Sequence, residues 1–283
     1  MLNSRVTPIS ESLEPRPYLA GWSDMHDTFV RETTRLVEAP GNGHLDILFL
    51  GDSITEAYRG TDKGGKCFGG RCDFVPEVFK ENFGHLKTAI FGIGGDETKH
   101  LLWRLKDGEM HKTLPRVTVI LIGTNNLGAA FHESAAAIPK AEELTVRGVQ
   151  EVVKHVFAEA PGTQIILLAL LPRGERSWEQ PHSGSSVRFI SHVQPSPFTK
   201  TIENINGKLE EWVKTAAFPS AIQFLDCSTL FLTEDQKAIK EELMEDALHP
   251  TPQGYKEMLG KCLLPKLTTI RTPNTAHRKI LRS

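Results

Sequence analysis

Residues 45–56 read Leu-Asp-Ile-Leu-Phe-Leu-Gly-Asp-Ser-Ile-Thr-Glu. A largely aliphatic run, Leu45–Leu50, passes straight into Gly51-Asp52-Ser53-Ile54-Thr55-Glu56, so a hydroxyl stands where a strand ends and a helix begins. A strand this continuously apolar is buried on both faces, as strands of a parallel sheet are, and its carboxyl end is where such sheets place ligands. The pattern recurs along the chain at Leu86–Phe91, Val117–Ile122, Gln164–Leu171 and Ile222–Leu225. Between these runs lie helix-like segments at 53–60, 96–107, 140–159, 198–217 and 234–245, and a last one from Pro252 to Leu264. Regular alternation of this kind predicts an α/β fold, a doubly wound parallel sheet of five strands.

Composition narrows the function. The 283 residues carry 33 Lys+Arg against 35 Asp+Glu, a net charge of −2, with 39% hydrophobic and 24% charged residues. These are values of an ordinary globular chain, and they speak against a charge-driven nucleic-acid binder. The longest apolar run, 165–171, is far short of the roughly 20 residues of a membrane span, and residues 1–17 lack a leader-like apolar core. A cytoplasmic protein without stable membrane insertion is expected. Four cysteines are too few for a disulfide scaffold; Cys67 and Cys72 are close enough to pair or share a ligand, but free thiols are the expectation. Residues 1–21 and the basic segment 266–283 read as flexible tails around one domain at 22–265. Two irregular stretches, Arg59–Asp73 and Arg173–Pro197, follow strand ends and are placed to shape a ligand site.

Four segments could carry chemistry. Ser53 is placed as a nucleophile, although Ser53-x-x-Glu56 also reads as a capping box. Gly92-Ile93-Gly94-Gly95-Asp96 follows a strand and opens a helix, with Asp96 as its expected N-cap, and Glu97 breaks a dinucleotide fingerprint. Gly123-Thr124-Asn125-Asn126 offers side-chain amides of the kind that stabilise an oxyanion. Asp246-Ala247-Leu248-His249-Pro250-Thr251-Pro252 offers a carboxylate and an imidazole before a Thr-capped, Pro-initiated helix. Gly60–Cys67 resembles a phosphate loop but puts Cys67 where magnesium needs a hydroxyl, and no His/Cys spacing suggests a metal.

In this order the four segments resemble the sequence blocks of the SGNH (GDSL-type) hydrolase family. Within it the resemblance is to the intracellular type Ib platelet-activating factor acetylhydrolase branch. It rests on GDSI at 51–54, FGIGGDETKHLLWRL at 91–105, GTNN at 123–126, LLPRGE at 170–175, DALHPT at 246–251, and on Trp22, His26 and Phe29. The resemblance implies a three-layer α/β/α, flavodoxin-like fold and a serine esterase that needs neither metal nor cofactor. It implies Ser53 as nucleophile, His249 as general base and acid, Asp246 as its orienting carboxylate, and an oxyanion hole of the Ser53 amide, the Gly95 amide and Asn125. Asp52 would support the serine without touching substrate. The expected substrate is a short-chain, acetyl-type ester of a lipid or other small alcohol, and the expected assembly a homodimer. The rivals are an acetylated-carbohydrate esterase, a thioesterase or lysophospholipase on the same fold, an idle partner-binding scaffold, and a nucleotide binder at Gly60–Lys66. The chain departs from the family at Ile90, where the second block usually opens with Asn, and in the inserted Lys63–Asp73 segment.

Overall fold

A computed structural model describes residues 15–16, 21–179, 187–215 and 220–270. Most of the two expected tails, 1–14, 17–20 and 271–283, and part of the 173–197 loop lie outside the described residues. Five strands form an all-parallel sheet: β1 (His44–Gly51), β2 (Thr88–Gly92), β3 (Leu114–Leu121), β4 (Gln164–Leu168) and β5 (Ile222–Leu225), in the order β2-β1-β3-β4-β5. That is the flavodoxin-type order, with its switch point where connections leave β1 in opposite directions.

The helices follow in chain order: α1 (Trp22–Glu38), α2 (Val75–Phe83), α3 (Thr98–Arg104), α4 (Thr124–Glu133), α5 (Ile138–Glu159), α6 (Thr199–Thr215), α7 (Pro252–Glu257) and α8 (Leu264–Thr269). They sort into two packed groups: α3, α4 and α6 each pack on α5, and α2 packs against α7. Each buries one stripe. In α5 Val146, Val149, Val153 and Val156 are buried at helical spacing, and in α1 Trp22, Met25, His26, Phe29 and Thr33. Phe49 of β1 meets Phe79 and Phe83 of α2 with ring centroids 5.2 and 5.4 Å apart, while Phe29 of α1 stacks on Phe91 of β2 at 4.8 Å.

Register sets up the site. Gly51 pairs with Gly92 on one side and with Leu121 on the other, so three strands end level. The chain leaving each end is one of the three polar segments singled out above. The approach there is close: a Cβ on Gly51 would stand 2.2 Å from Thr55 Oγ1 and 2.4 Å from the Leu121 carbonyl oxygen.

Several expectations need correcting. Residues 234–245 form turns, not a helix. Thr233 Oγ1 donates to Asp235 (2.7 Å) and accepts from the Ala238 amide (3.2 Å), and Leu232 and Val193 bridge to Ile239 and Ala238. These local bonds and the bridge to residue 193 outcompete helical pairing. Helices α1, α2 and α4 were not among the expected elements, and the last helical stretch runs through a π-turn (Met258–Leu263) to Thr269, past residue 265. The four cysteines are paired rather than free: Cys67–Cys72 closes a tight turn, and Cys227–Cys262 ties the chain after β5 to the last helical stretch. The second pairing joins residues 35 apart, which no local pattern reveals.

Gly51→Ala should cost about 1–3 kcal/mol of stability through overpacking against a carbonyl that cannot retreat within the sheet, measured by urea unfolding; an unchanged midpoint would contradict the packing described.

Candidate active site

Ser53 opens a single helical turn, Ser53–Glu56, at the end of β1. The turn is capped by Asp52, whose Oδ1 accepts the Ile54 amide (3.0 Å). Glu56 turns its carboxylate elsewhere, so the capping-box reading of Ser53-x-x-Glu56 does not hold and the serine hydroxyl is free for other work. Ser53 Oγ lies 2.9 Å from His249 Nε2, although 196 residues separate them. His249 Nδ1 lies 2.8 Å from Asp246 Oδ2, and Asp246 Oδ1 accepts the His249 and Leu248 amides at 2.7 and 3.1 Å. The loop is held by the expected N-cap: Thr251 Oγ1 accepts the Gly254 amide at the start of α7 (3.1 Å).

Electrostatics favour a neutral imidazole. Burial pushes His249 below its ordinary value against the hydrogen bond and charge of Asp246, and Arg71 and Arg176 push it further down. Burial also resists ionisation of Asp246, but the His249 hydrogen bond and charge, with Arg176 (2.8 Å), hold the carboxyl well below the carboxylate range. The arrangement leaves Nε2 able to accept the Ser53 proton. Asp52 differs: burial, opposed by the Ile54 amide, pushes its carboxyl up to about 7.

Gly95 and Asn125 open onto the same cleft of about 570 Å³ as Ser53 and His249. Gly95 has φ +81°, a left-handed conformation that glycine takes without strain. Asn125 Nδ2 donates one hydrogen to the Asp96 carbonyl (2.9 Å), which fixes the amide and leaves its second N–H to offer. The inserted segment forms another wall through Lys63, Phe68 and Arg71.

Residues 49–257 match the model of the GDSL-like Lipase/Acylhydrolase family. The chain belongs to that family. It is 30% identical over 238 residues to platelet-activating factor acetylhydrolase IB subunit alpha2 of Rattus norvegicus and of Homo sapiens, covering 84% of this chain and 80% of each relative. Among solved structures it resembles a Bacteroides thetaiotaomicron GDSL-like lipase (TM-score 0.56, 18% identity, 86% of this chain and 96% of that one). It also resembles a Geobacillus stearothermophilus acetylxylan esterase (TM-score 0.54, 14% identity, 84% and 99%). The GDSL hydrolase is therefore a carboxylic ester hydrolase, and its two structural likenesses speak for the fold alone.

Behind the cleft this hydrolase buries charges that the sequence reading did not assign. Arg104, fully buried, bonds Asp96 Oδ2 through Nε (2.8 Å), Glu109 through Nη1, and the Gly51 carbonyl through Nη2 (3.3 Å). Trp22 Nε1 donates to Asp96 Oδ1 (2.7 Å), and His26 links Glu109 (2.8 Å) to Asp107 (3.0 Å). Asp96 is thus not the N-cap of α3, as expected, but an ion-pair partner; Glu97 takes the cap position, and its amide donates to His100 Nδ1 (3.0 Å). Glu56 is buried with no ion-pair partner among the described residues: its carboxylate accepts from Thr61 Oγ1 and from the Lys63, Gly64 and Gly94 amides, all within 2.9 Å. Asn126 joins α4 to α3 through Thr98, and Arg173 holds the Thr124 carbonyl (2.7 Å). Arg104 stands among Leu101, Leu102, Trp103 and Leu105, but nothing local names its partners, and Arg173 and Glu56 carry no comparable signal. Ile90 lies within β2 opposite Phe49, where its carbonyl accepts from Arg59 (3.3 Å).

Two outcomes follow from this electrostatic layout. Activity should fall on acidification with a midpoint below the ordinary imidazole value of about 6.5, because His249 is pushed down. Arg176→Gln removes one of the cations responsible and should move that midpoint up; a pH–rate profile of kcat/KM that stays in place would refute the assignment. Arg104→Met should cost about 3–5 kcal/mol by stranding two buried carboxylates, read by denaturant unfolding.

Proposed function

We propose that the chain is a serine esterase that cleaves short-chain, acetyl-type esters of a lipid or other small alcohol through an acyl-enzyme. The observation that carries this reading is the contact of Ser53 Oγ with His249 Nε2 at 2.9 Å, backed by Asp246 at 2.8 Å, inside a cleft shared with Gly95 and Asn125. In this reading His249 takes the Ser53 proton as the hydroxyl attacks the ester carbonyl, and the imidazolium formed is stabilised by Asp246. The oxyanion is received by the Ser53 and Gly95 amides and the free N–H of Asn125. His249 then protonates the leaving alcohol, and a water activated by the same imidazole releases the acid. The acetyl preference leans on the relatives' name, acetylhydrolase, and the lipid alcohol on the platelet-activating factor in that name.

The hydrolase domain is taken as 22–265, widened to Ile270, whose side chain is buried. No helix among the described residues is long and apolar enough to cross a membrane. Two disulfides argue for an oxidising compartment against the cytoplasm expected above. The relatives are named as subunits, which supports an assembly of some kind; a homodimer is the form proposed, to be read by light scattering.

The deciding experiment is an ester panel varied in acyl length and alcohol, run with wild type and Ser53→Ala. Wild type should release p-nitrophenol fastest from the acetyl ester and Ser53→Ala should not turn over, whereas equal rates for the two would end the serine reading. Asn125→Ala should lower kcat by about 10²–10³-fold, as loss of one oxyanion donor does.

A further inference from the structure

The inserted segment has features that the cleft chemistry does not use. Phe68 and Phe74 are each 71% exposed, the two most exposed large apolar side chains among the described residues. Phe68 follows Cys67 and Phe74 stands two residues after Cys72; the disulfide holds the two cysteine Cα atoms 5.8 Å apart, so Phe68 lies within the cross-linked loop and Phe74 just beyond its end. Phe74 has φ +65° and precedes α2 without any side-chain cap bond. A left-handed helix cap suits Asn or Gly, and an aromatic there is strained. Neither packing nor capping accounts for it, so its exposure is the property left to explain.

Charge accompanies the rings. Asp62 is paired with Arg71 (3.0 Å), while Lys63 and Lys66 are exposed and make no ion pair among the described residues. Phe189, half exposed, lies on the antiparallel hairpin Glu175–Glu179/Val187–Ser191, which also brings Arg176 to the cleft. Phe68, Lys63, Arg71 and Arg176 line the cleft itself, beside Asp62 and Glu245, while Phe74 and Lys66 are exposed on the same segment outside it.

The geometry points to residues 63–74 as a loop that docks the enzyme reversibly on an anionic lipid–water interface, with Phe68 and Phe74 entering the headgroup region and Lys63 and Lys66 meeting the lipid charge. Exposed aromatics beside lysines are what interfacial adsorption requires. A second protein copy fits less well: two phenyl groups offer only a few hundred Å², short of the roughly 800 Å² per partner of a stable interface. The inference rests on the ester-hydrolase reading in one respect: Phe68 and Lys63 also line the cleft, so an ester lying in that surface reaches Ser53 without crossing bulk water.

The test sediments the full chain with phosphatidylcholine vesicles, with and without phosphatidylglycerol, and measures p-nitrophenyl acetate turnover in the same samples. Wild type should pellet with the anionic vesicles and be released by high salt. Phe74→Asn relieves the left-handed strain, so it should unfold no earlier than wild type, keep its turnover of the dissolved ester, and partition about tenfold more weakly. Lys66→Ser should weaken binding to the anionic vesicles only. Wild type remaining in the supernatant, Phe74→Asn binding like wild type, or Phe74→Asn changing the oligomeric state by light scattering would each overturn the docking loop. Vesicle binding without turnover would overturn the hydrolase reading and leave the docking loop standing.

Discussion

A guanidinium without access to water sits at the centre of this structure. Arg104 holds Asp96, Glu109 and the carbonyl of Gly51 at once, and so fastens the end of β1, the loop after β2 and the turn after α3 to one point. Burying charge is costly, and such a cluster holds only where every partner is met. Here Trp22 and His26 meet the remaining carboxylate oxygens. Asp96 connects this cluster to the cleft in two ways: its carboxylate faces Arg104 while its carbonyl holds the Asn125 amide. The position of Asn125, the proposed oxyanion donor, is thereby set by ion pairs on the far side of the backbone.

Glu56 works by another means. It has no ion-pair partner among the described residues, and four donors from two stretches of chain, 61–64 and Gly94, converge on it. Amide and hydroxyl donors take the place of the water that burial removes from a carboxylate. Since one of those donors is the Gly94 amide and two belong to the inserted segment, the serine turn, the glycine loop and the added cleft wall share a single anchor. The 63–73 segment is thereby tied into the site by backbone donors.

The fold was legible because parallel strands buried on both faces write themselves as unbroken aliphatic runs; each of the five runs holds a strand. The 234–245 segment was misread because its helical spacing competes with side-chain bonds at Thr233 and a bridge to residue 193, both invisible to periodicity. Of the site, Ser53 and the Asp246–His249 loop stood out by position, but only family resemblance brought them together across 196 residues. The cysteine pairs and the Arg104 cluster were hidden for a common reason: each depends on partners that are distant in sequence or that occupy ordinary helix positions. Buried charge looks like surface charge until the packing is known.

Tyr255 donates its hydroxyl to the Ile54 carbonyl at 2.9 Å and meets Tyr58 edge-on, so the final helices touch the serine turn directly. Together with His249, these contacts join the first fifth of the chain to its last. Such high contact order means that the sheet can assemble while synthesis is still in progress, but the serine cannot find its histidine until the C-terminal segment has left the ribosome. A nascent or prematurely ended chain would carry the GDSI turn with no imidazole beside it. In the proposed mechanism, competence to cleave an ester is thus tied to completion of the polypeptide.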